Sequence, residues 1–361
     1  MLTSTNGVVT AYATTAEPMS HSRISGVGAE IPEHVVTTAD VEARAALDRF
    51  GFGPGWLERV TGVRERRWAD PDVQPSELAV LAACKALDDA GARTGDIDTL
   101  IYAGITRDCL EPATANVVAD ALGARHARVF DLINACNGVM DAIDMADSLI
   151  RCGKAGRVLV ATGERATLAI NWQPRTIDEV LKSVAGLVVG DGGGAVVVEA
   201  SDDPDRGIVA REFRSAPSEW RHAVGFSFRT GPDACELCGG LLDRTFRCDG
   251  SALFEAAFDL MCPTMEAVMS RTGWSVDDVD VVFCHQPTKT FVERAFSMRE
   301  GGAPLVRKLW PTAERYGNTS TCSMPLAMFE AKAAGTLVPG AKVLVLAPAS
   351  GVSAAAVTMV W

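Results

Sequence analysis

Residues 86–103 read ALDDAGARTGDIDTLIYA, and residues 267–284 read AVMSRTGWSVDDVDVVFC. Gly91 of the first stretch matches Gly273 of the second, 182 positions later (273 − 91). Each stretch has the pattern of a helix that ends at a glycine and is followed by an apolar strand. The chain therefore carries the same helix–turn–strand unit twice, which predicts an α/β fold built from two copies of one motif.

A second repeated pair supports this duplication. Residues 156–161, GRVLVA, are similar to residues 341–346, AKVLVL, at a separation of 185 positions (341 − 156). Continuous apolar runs of this kind are typical of strands that other layers cover on both faces. The predicted buried strands lie at 158–161, 195–198, 279–283 and 343–346.

Length and composition are those of a globular protein with two cores. The chain has 361 residues, of which 48% are hydrophobic and 22% charged, and this length exceeds the usual size of one core. We expect a flexible N-terminal extension at 1–22, a first half at 23–200 and a second half at 201–361. The net charge of −12 argues against nucleic-acid binding and favours an enzyme that acts on small molecules.

Patterns of targeting, membrane insertion and metal binding are weak. Residues 1–22 lack the basic start and apolar core of a secretory signal, and no run reaches the roughly 18 apolar residues that a membrane span needs. Ten scattered cysteines then indicate free thiols in a reducing compartment, so we expect a cytoplasmic protein. Cys235, Cys238 and Cys248 have no fourth ligand at a zinc-site spacing, so we expect no metal.

Cys136 is the first candidate catalytic residue. It lies in the turn NACNG, 134–138, between an apolar run at 129–133 and a helix that is polar along only one narrow stripe. That helix is predicted to be central. Backbone N–H groups and the dipole at a helix N-terminus favour a thiolate, the form that attacks acyl thioesters. The alternative is a small cysteine that only fills the core.

Two further polar residues occupy places where a strand or loop ends. His285 ends the strand-like run 279–284, and Asn318 lies in YGNTS, 316–320. Polar groups at such ends converge on a pocket in α/β proteins. Cys136, His285 and Asn318 are therefore a candidate catalytic set, because a cysteine, a histidine and an asparagine far apart in sequence can meet in the fold.

Five segments carry a family resemblance, and they occur in the family's order. The chain resembles the β-ketoacyl synthase III branch of the thiolase superfamily from about residue 22 to residue 361. The segments are WLERVTGVRERR at 56–67, DLINACNG at 131–138, GDGGGA at 190–195, HQ at 285–286 and YGNTS at 316–320.

This resemblance implies a five-layer αβαβα sandwich of two pseudo-equivalent halves, with the site between them. It implies Cys136 as the covalent nucleophile, His285 and Asn318 as hydrogen-bond donors to an enolate, and the amides of Cys136 and Gly351 as the oxyanion hole. The implied activity is that of an acyltransferase. An acyl thioester loaded on Cys136 would condense with a malonyl or acyl thioester, as in fatty acid or polyketide biosynthesis.

The resemblance also implies the substrates and partners. Coenzyme A or phosphopantetheine thioesters would be substrates, with no separate cofactor, and acyl-CoA, an acyl carrier protein and a second copy of the chain would be partners. Trp56 matches the aromatic residue that stacks on adenine. Arg64, Arg66 and Arg67 follow it as candidate phosphate ligands, although Val60 stands where the family has an arginine.

Glu111 leaves the second substrate open. It lies 25 residues before Cys136 (136 − 111), where fatty-acid starter synthases have an apolar side chain. A carboxylate here resembles the olefin-biosynthesis thiolases, in which a glutamate from the dimer partner removes an α-proton without decarboxylation. Such a base is needed because no loss of CO2 generates the carbanion. Alternatively, Glu111 only stabilises a helix N-terminus next to Pro112.

Two other functions stay open at the level of sequence. The acyl group could be transferred to an alcohol or amine in natural-product biosynthesis, although Asn318 suits an enolate better. The chain could also be a non-catalytic partner subunit. The presence of Cys136, His285 and Asn318 together argues against this last alternative.

Overall fold

The computed structural model describes residues 21–227, 244–299 and 302–361. Nearly all of the expected extension at 1–22, together with Cys235 and Cys238, lies outside the described residues. None of the described helices is long and apolar enough to cross a membrane.

Strands and helices alternate along the described chain. The strands are β1 His21–Glu30, β2 His34–Thr37, β3 Glu65–Trp68, β4 Thr99–Tyr102, β5 Arg128–Asp131, β6 Arg157–Glu164, β7 Gly192–Ser201, β8 Gly207–Ser215, β9 Ala223–Val224, β10 Arg247–Cys248, β11 Val281–Cys284, β12 Lys342–Ala349 and β13 Ser353–Val360. The helices are α1 Thr38–Arg44, α2 Trp56–Thr61, α3 Pro75–Ala90, α4 Thr114–Leu122, α5 Gly138–Arg151, α6 Ile177–Leu187, α7 Gly250–Thr272, α8 Lys289–Met298, α9 Gly302–Lys308, α10 Ala313–Tyr316 and α11 Ser323–Ala333.

Two sheets repeat the same topology. The first has the order β1-β7-β6-β4-β5, and the second has the order β8-β13-β12-β11 when it is followed from the corresponding edge. In both sheets, the first three strands are antiparallel to one another in sequence of neighbours, and the fourth strand is parallel to the third. A parallel bridge from Val282 to Leu309 occupies the place that β5 has in the first sheet. The duplication predicted from the repeated segments is confirmed.

The largest core lies between the two sheets. Met140 and Ile143 of α5 and Met324 and Met328 of α11 belong to one buried cluster with side chains of both sheets. Helices α3 and α4 pack on the outer face of the first sheet, and α7, α8 and α9 pack on the outer face of the second. The five-layer sandwich is therefore confirmed, and α5 is a central helix as its narrow polar stripe predicted.

Close approach of helix to sheet depends on glycine. A Cβ atom on Gly28 of β1 would overlap the backbone of α3 at Ala82, and one on Gly163 of β6 would overlap the backbone at Pro75. The absent side chains therefore allow α3 to lie directly on the first sheet.

The division into halves at residue 200 remains a prediction. Strand β7 of the first sheet ends at Ser201 and strand β8 of the second begins at Gly207. These bounds support a division of the chain between the two strands.

Candidate active site

The sharp turn between β5 and α5 carries Cys136. Ala135 has a left-handed backbone with φ of 47°, and α5 begins three residues later at Gly138. A left-handed residue is costly for alanine, so the surrounding structure must hold the turn. Its place in the fold puts Cys136 at the wall of a cavity between the two halves.

Strand β11 and the loop after α10 supply the other two candidates. His285 follows β11, is 3% exposed, and its backbone N–H donates to Leu346. Asn318 is 8% exposed, and its backbone N–H donates to the carbonyl of Val188 in the first half. Its side-chain oxygen accepts a hydrogen bond from the N–H of Ser320 at 2.9 Å. The carboxamide is thereby oriented so that its NH2 group is the end offered to a ligand.

Cys136, His285 and Asn318 line one cavity, which we call the reaction cavity, together with Pro348 and Ser350. The convergence expected from the strand ends is thus found in the structure. The thiol, the imidazole and the carboxamide lie around a space in which a thioester carbonyl can be held.

Burial sets the charge of both reactive groups. It raises the pKa of Cys136 to about 12, partly offset by a contact with the hydroxyl of Ser320 at 3.8 Å. It lowers the pKa of His285 to about 4. Desolvation of the sulfur opposes the thiolate expected at the start of α5 and outweighs the hydrogen bonds that favour it. At neutral pH the site holds a protonated thiol and a neutral imidazole.

A second cavity, the inner cavity, lies on the other side of Cys136. Cys136, Asn318 and Gly351 line it, so the candidate oxyanion glycine faces the same sulfur. The Nδ2 of Asn137 donates to the hydroxyl of Ser353 at 2.9 Å. This buried hydrogen bond connects the turn of Cys136 to the loop of Gly351. It therefore helps to fix the relative positions of the two candidate N–H donors.

Glu164 is a buried residue of the inner cavity that sequence reasoning missed. Its carboxylate accepts hydrogen bonds from the N–H groups of Ile105 and Thr106 and from the hydroxyl of Thr321, at 2.5 to 3.1 Å. Burial raises its pKa. Thr321 belongs to the second half, so Glu164 holds the loop that carries Asn318. The sequence does contain one indication of this residue, because Glu164 is a carboxylate at the end of the long apolar strand β6.

A third cavity, the entrance cavity, is lined by Trp56, Lys182 and Arg294. It shares Phe291 and Cys248 with the reaction cavity, so the two are neighbours. The ring of Trp56 packs on Phe52 with centroids 4.1 Å apart. Lys182 and Arg294 were not predicted, because only the fold brings α6 and α8 next to α2.

The three arginines after Trp56 differ in position. Arg66 is fully buried and donates to the hydroxyl of Thr38 and the carbonyl of Leu187. The expectation that it binds substrate phosphate is wrong, because it cannot reach a ligand from the core. Arg64 pairs with Glu314, and Arg67 pairs with its strand neighbour Glu65. Neither of these two lines the entrance cavity.

Within the described residues, no group of three or more histidine, cysteine or acidic side chains is placed to hold a metal ion. Cys248 lies in the wall between the reaction and entrance cavities. Its two sequence neighbours in the rejected zinc pattern fall outside the described chain.

Known proteins match the chain over most of its length. The family model of 3-oxoacyl-[acyl-carrier-protein] synthase III matches residues 130–217, and the model of its C-terminal part matches residues 269–361. The β-ketoacyl-[acyl-carrier-protein] synthase III of Chelativorans sp. (strain BNC1) is 33% identical over 95% of this chain and 100% of the relative. That of Sinorhizobium medicae (strain WSM419) is 31% identical over the same shares.

The chain belongs to the β-ketoacyl-[acyl-carrier-protein] synthase III family. It is a condensing acyltransferase, which forms a carbon–carbon bond from an acyl thioester.

Solved structures of this superfamily superpose on the chain. OleA of Xanthomonas campestris with bound lauric acid and lauroyl-CoA has a TM-score of 0.84 at 27% identity, covering 95% of this chain and 100% of that one. The 3-oxoacyl-[acyl-carrier-protein] synthase III of Aquifex aeolicus VF5 has a TM-score of 0.80 at 28% identity, covering 94% and 100%.

Glu111 of this synthase III family member lies on the surface of the chain, in the loop before α4. It does not line the reaction or inner cavity of its own chain. The carboxylate that accepts from the first N–H groups of α4, at Thr114 and Ala115, is that of Asp131. Asp131 is thus the hydrogen-bond acceptor at the start of α4, and both roles of Glu111, at the helix N-terminus and as a base donated by a second copy of the chain, remain predictions.

Proposed function

We propose that Cys136 accepts an acyl group from a thioester and that His285 and Asn318 support its condensation with a second thioester. The convergence of these three side chains on the reaction cavity carries the proposal. The family gives the reaction class, and the arrangement of the three side chains around the cavity supports the roles proposed for them.

The first half of the cycle loads the enzyme. The neutral imidazole of His285 takes the proton from the thiol of Cys136, and the sulfur attacks the thioester carbonyl. The N–H groups of Cys136 and Gly351 receive the developing oxyanion, each worth about 3 kcal/mol in such sites. The carbon–sulfur bond of the donor then breaks, and the departing thiolate takes the proton back from His285.

The second half forms the carbon–carbon bond. The second thioester first becomes an enolate, by loss of CO2 from a malonyl group or, in the second candidate below, by transfer of an α-proton to a base. The NH2 group of Asn318 and an N–H of His285 hold the enolate oxygen while its α-carbon attacks the acyl carbonyl on Cys136. Both donors are neutral, so they stabilise the enolate without a fixed counter-charge in the buried site. The sulfur of Cys136 leaves as the new bond forms.

The entrance cavity fits a coenzyme A or phosphopantetheine thioester. Trp56 supplies an aromatic ring and Arg294 supplies positive charge, and Lys182, which pairs with Asp178 of the same cavity at 2.7 Å, is a second cation there. Acyl-CoA and an acyl carrier protein are the proposed partners, since the relatives are named for the carrier protein and one solved neighbour holds lauroyl-CoA. The proposed cycle uses no separate cofactor. It requires Cys136 to be a reduced thiol, as cysteines are in the cytoplasm.

Non-decarboxylative condensation of two acyl thioesters is the second candidate. An apolar cavity between α7 and α8, lined by residues such as Phe258, Met265 and Phe296, shares Ala257 and Phe291 with the reaction cavity. The inner cavity, of about 440 Å³ and lined by Cys136, gives room for an apolar chain, and the cavity between α7 and α8, of about 50 Å³, is a smaller apolar space next to the reaction cavity. In this version, a homodimer brings Glu111 of the other copy to the site as the base.

Covalent loading tests the proposal. After incubation with acyl-CoA, intact-protein mass spectrometry should show one acyl group on the wild type and none on Cys136→Ala. Absence of an adduct with any CoA-bound or carrier-bound thioester would instead favour a non-catalytic subunit.

The loaded enzyme then distinguishes the second substrates. Release of CO2 from malonyl thioester with formation of a β-ketoacyl product supports decarboxylative condensation. Product from two acyl-CoA molecules, lost in Glu111→Gln but kept in the exposed control Glu77→Gln, supports the second candidate. Transfer of the acyl group only to added alcohol or amine would contradict both.

A further inference from the structure

We propose that Glu164 is a positioning residue for carbon–carbon bond formation, because it fixes, through Thr321, the turn that orients the carboxamide of Asn318. Glu164 ends strand β6 of the first half, whereas Thr321 and Asn318 belong to the second half. The inference rests on the proposed function and deepens it, since it assigns Glu164 to the condensation step and not to the loading of Cys136.

Both oxygens of the Glu164 carboxylate are occupied within the protein. Oε1 accepts from the N–H of Ile105 at 2.9 Å and from the hydroxyl of Thr321 at 2.5 Å. Oε2 accepts from the N–H of Thr106 at 3.1 Å and lies 2.9 Å from the hydroxyl of the same residue. A carboxylate accepts about four hydrogen bonds, so these contacts leave no free position for the proton of a substrate. Glu164 lines the inner cavity, yet its geometry is that of an anchor rather than of a base.

The residue that Glu164 anchors lies in the turn that follows Asn318. Thr321 is 1% exposed and lines none of the cavities named above, so it affects the reaction only through its neighbours. Its hydroxyl also lies 2.5 Å from that of Thr162, two positions before Glu164 on β6. Alternate residues of a strand point to the same face, so two side chains on one face of β6 hold Thr321.

Ser320 connects this anchor to the carboxamide of Asn318. It precedes Thr321 and has a left-handed backbone with φ of 52°, which a residue other than glycine keeps only where the surrounding structure holds it. Its N–H donates to Oδ1 of Asn318 at 2.9 Å, and this bond leaves the NH2 group for the enolate. Without the bond from Thr321 to Glu164, the backbone of Ser320 can relax and the carboxamide loses its orientation.

The duplication of the chain relates the two turns of the site. At a separation of 185 positions, β6 Arg157–Glu164 corresponds to β12 Lys342–Ala349 (342 − 157). At the same separation, the left-handed Ala135 corresponds to the left-handed Ser320 (320 − 135). The turn at the nucleophile and the turn after Asn318 are therefore equivalent positions of the repeated motif.

The residue after the left-handed position has a different use in each half. At the same separation of 185, Cys136 corresponds to Thr321 (321 − 136) and Glu164 corresponds to Ala349 (349 − 164). Cys136 and Ala349 line the reaction cavity, whereas Thr321 and Glu164 form a buried hydrogen bond. The first half thus uses this position for the nucleophile, and the second half uses it to hold the turn of Asn318.

Single-turnover kinetics of the full-length protein separate loading from condensation. Wild type and Thr321→Val, which lacks the hydroxyl but keeps the shape, are loaded with acyl-CoA, freed of excess thioester and mixed with malonyl-CoA or, separately, with fresh acyl-CoA. Thr321→Val should load at the wild-type rate, because His285 and the N–H groups of Cys136 and Gly351 lie on other elements. It should form product about 100-fold more slowly, as a misplacement of about 1 Å can cause, at an unchanged half-saturating concentration of the second thioester.

Variants at the same pair separate the hydrogen bond from packing. Thr321→Ser, which keeps the hydroxyl, should restore most of the condensation rate. Glu164→Gln, in which an NH2 group replaces one acceptor, should slow condensation, and it decides the test if Thr321→Val does not fold. The combination of Glu164→Gln with Thr321→Val should be little slower than either alone, because both changes remove the same bond.

A matched control lies at the far end of β13. Thr358 is fully buried, and its hydroxyl lies 2.6 Å from that of Thr272, so it resembles Thr321 in burial and bonding. Neither of these two threonines lines the reaction cavity. Thr358→Val should lose similar stability yet load and condense at the wild-type rates.

The inference and the proposed function fail in different ways. If wild-type protein takes no acyl group, or loads and then forms no carbon–carbon bond, the proposed function fails. If the wild type does both, but Thr321→Val condenses at the wild-type rate or loses loading and condensation to the same degree, the role of Glu164 is overturned while the proposed function stands.

Discussion

At Cys136 and His285, burial moves two pKa values in opposite directions. Each group becomes harder to ionise because the charged form loses its hydration, so the thiol holds its proton and the imidazole stays neutral. A neutral imidazole can accept a proton that a thiol gives up. In the proposed cycle, His285 therefore takes the proton of Cys136 as the sulfur attacks.

The buried histidine should make stability depend on pH. The pKa of His285 falls from 6.5 in the unfolded chain to about 4 in the native protein. Between these values the unfolded chain binds a proton that the native protein does not, so the free energy of unfolding falls as pH decreases from 6.5 to 4. The full loss is about 3 kcal/mol, from about 1.4 kcal/mol per pKa unit.

Urea unfolding at pH 7 and at pH 5 measures this effect. The loss between the two pH values should be smaller in His285→Asn, which has no imidazole to protonate, than in wild type or in the control His126→Asn, at an exposed histidine. An equal loss in all three proteins would show that the imidazole of His285 is not buried in neutral form.

At the scale of elements, glycines set the distance between helix and sheet. Strand β1 lies against α3 at Gly28, where even one methyl group would meet the backbone of Ala82 and Ala86. Backbone atoms cannot move aside as a flexible side chain can. Strand β1 therefore contributes to the layered fold through the absence of a side chain at Gly28. A hydrophobic pattern in the sequence does not reveal this contribution.

Gly28→Ala should lower the free energy of unfolding by about 1–3 kcal/mol, the usual cost of overpacking, because α3 must shift on the sheet. Gly95→Ala is the control, since a Cβ there meets no atom within 4 Å. Denaturant unfolding of both variants measures the difference. Equal stability of the two would contradict the direct contact between β1 and α3.

At the scale of the molecule, the halves share a core and a site. Helices α5 and α11 lie in one buried cluster between the sheets, and the bond from Asn137 to Ser353 joins the halves beside the nucleophile. Neither half can bury its central face alone. The reaction cavity exists only where the two halves meet, since Cys136 comes from one and His285 from the other.

The two halves should therefore unfold together. Native-state hydrogen exchange should give the amides of β6 and β12, the middle strands of the two sheets, the same free energy of opening within experimental error. Ile143→Ala in α5 should lower both values by a similar amount, about 2–5 kcal/mol for a buried isoleucine. A decrease confined to β6 would show that the halves are independent folding units.

Sequence alone was sufficient for the duplicated α/β fold and for the convergence of Cys136, His285 and Asn318 on one cavity, because repeats, apolar runs and strand ends are local patterns that can be recognised without coordinates. It was insufficient for the environment of each group. Burial of Arg66, the protonated thiol of Cys136, and the placement of Lys182 and Arg294 at the entrance cavity all depend on residues more than 100 positions apart. Only tertiary packing brings such residues together, and desolvation then decides their charge.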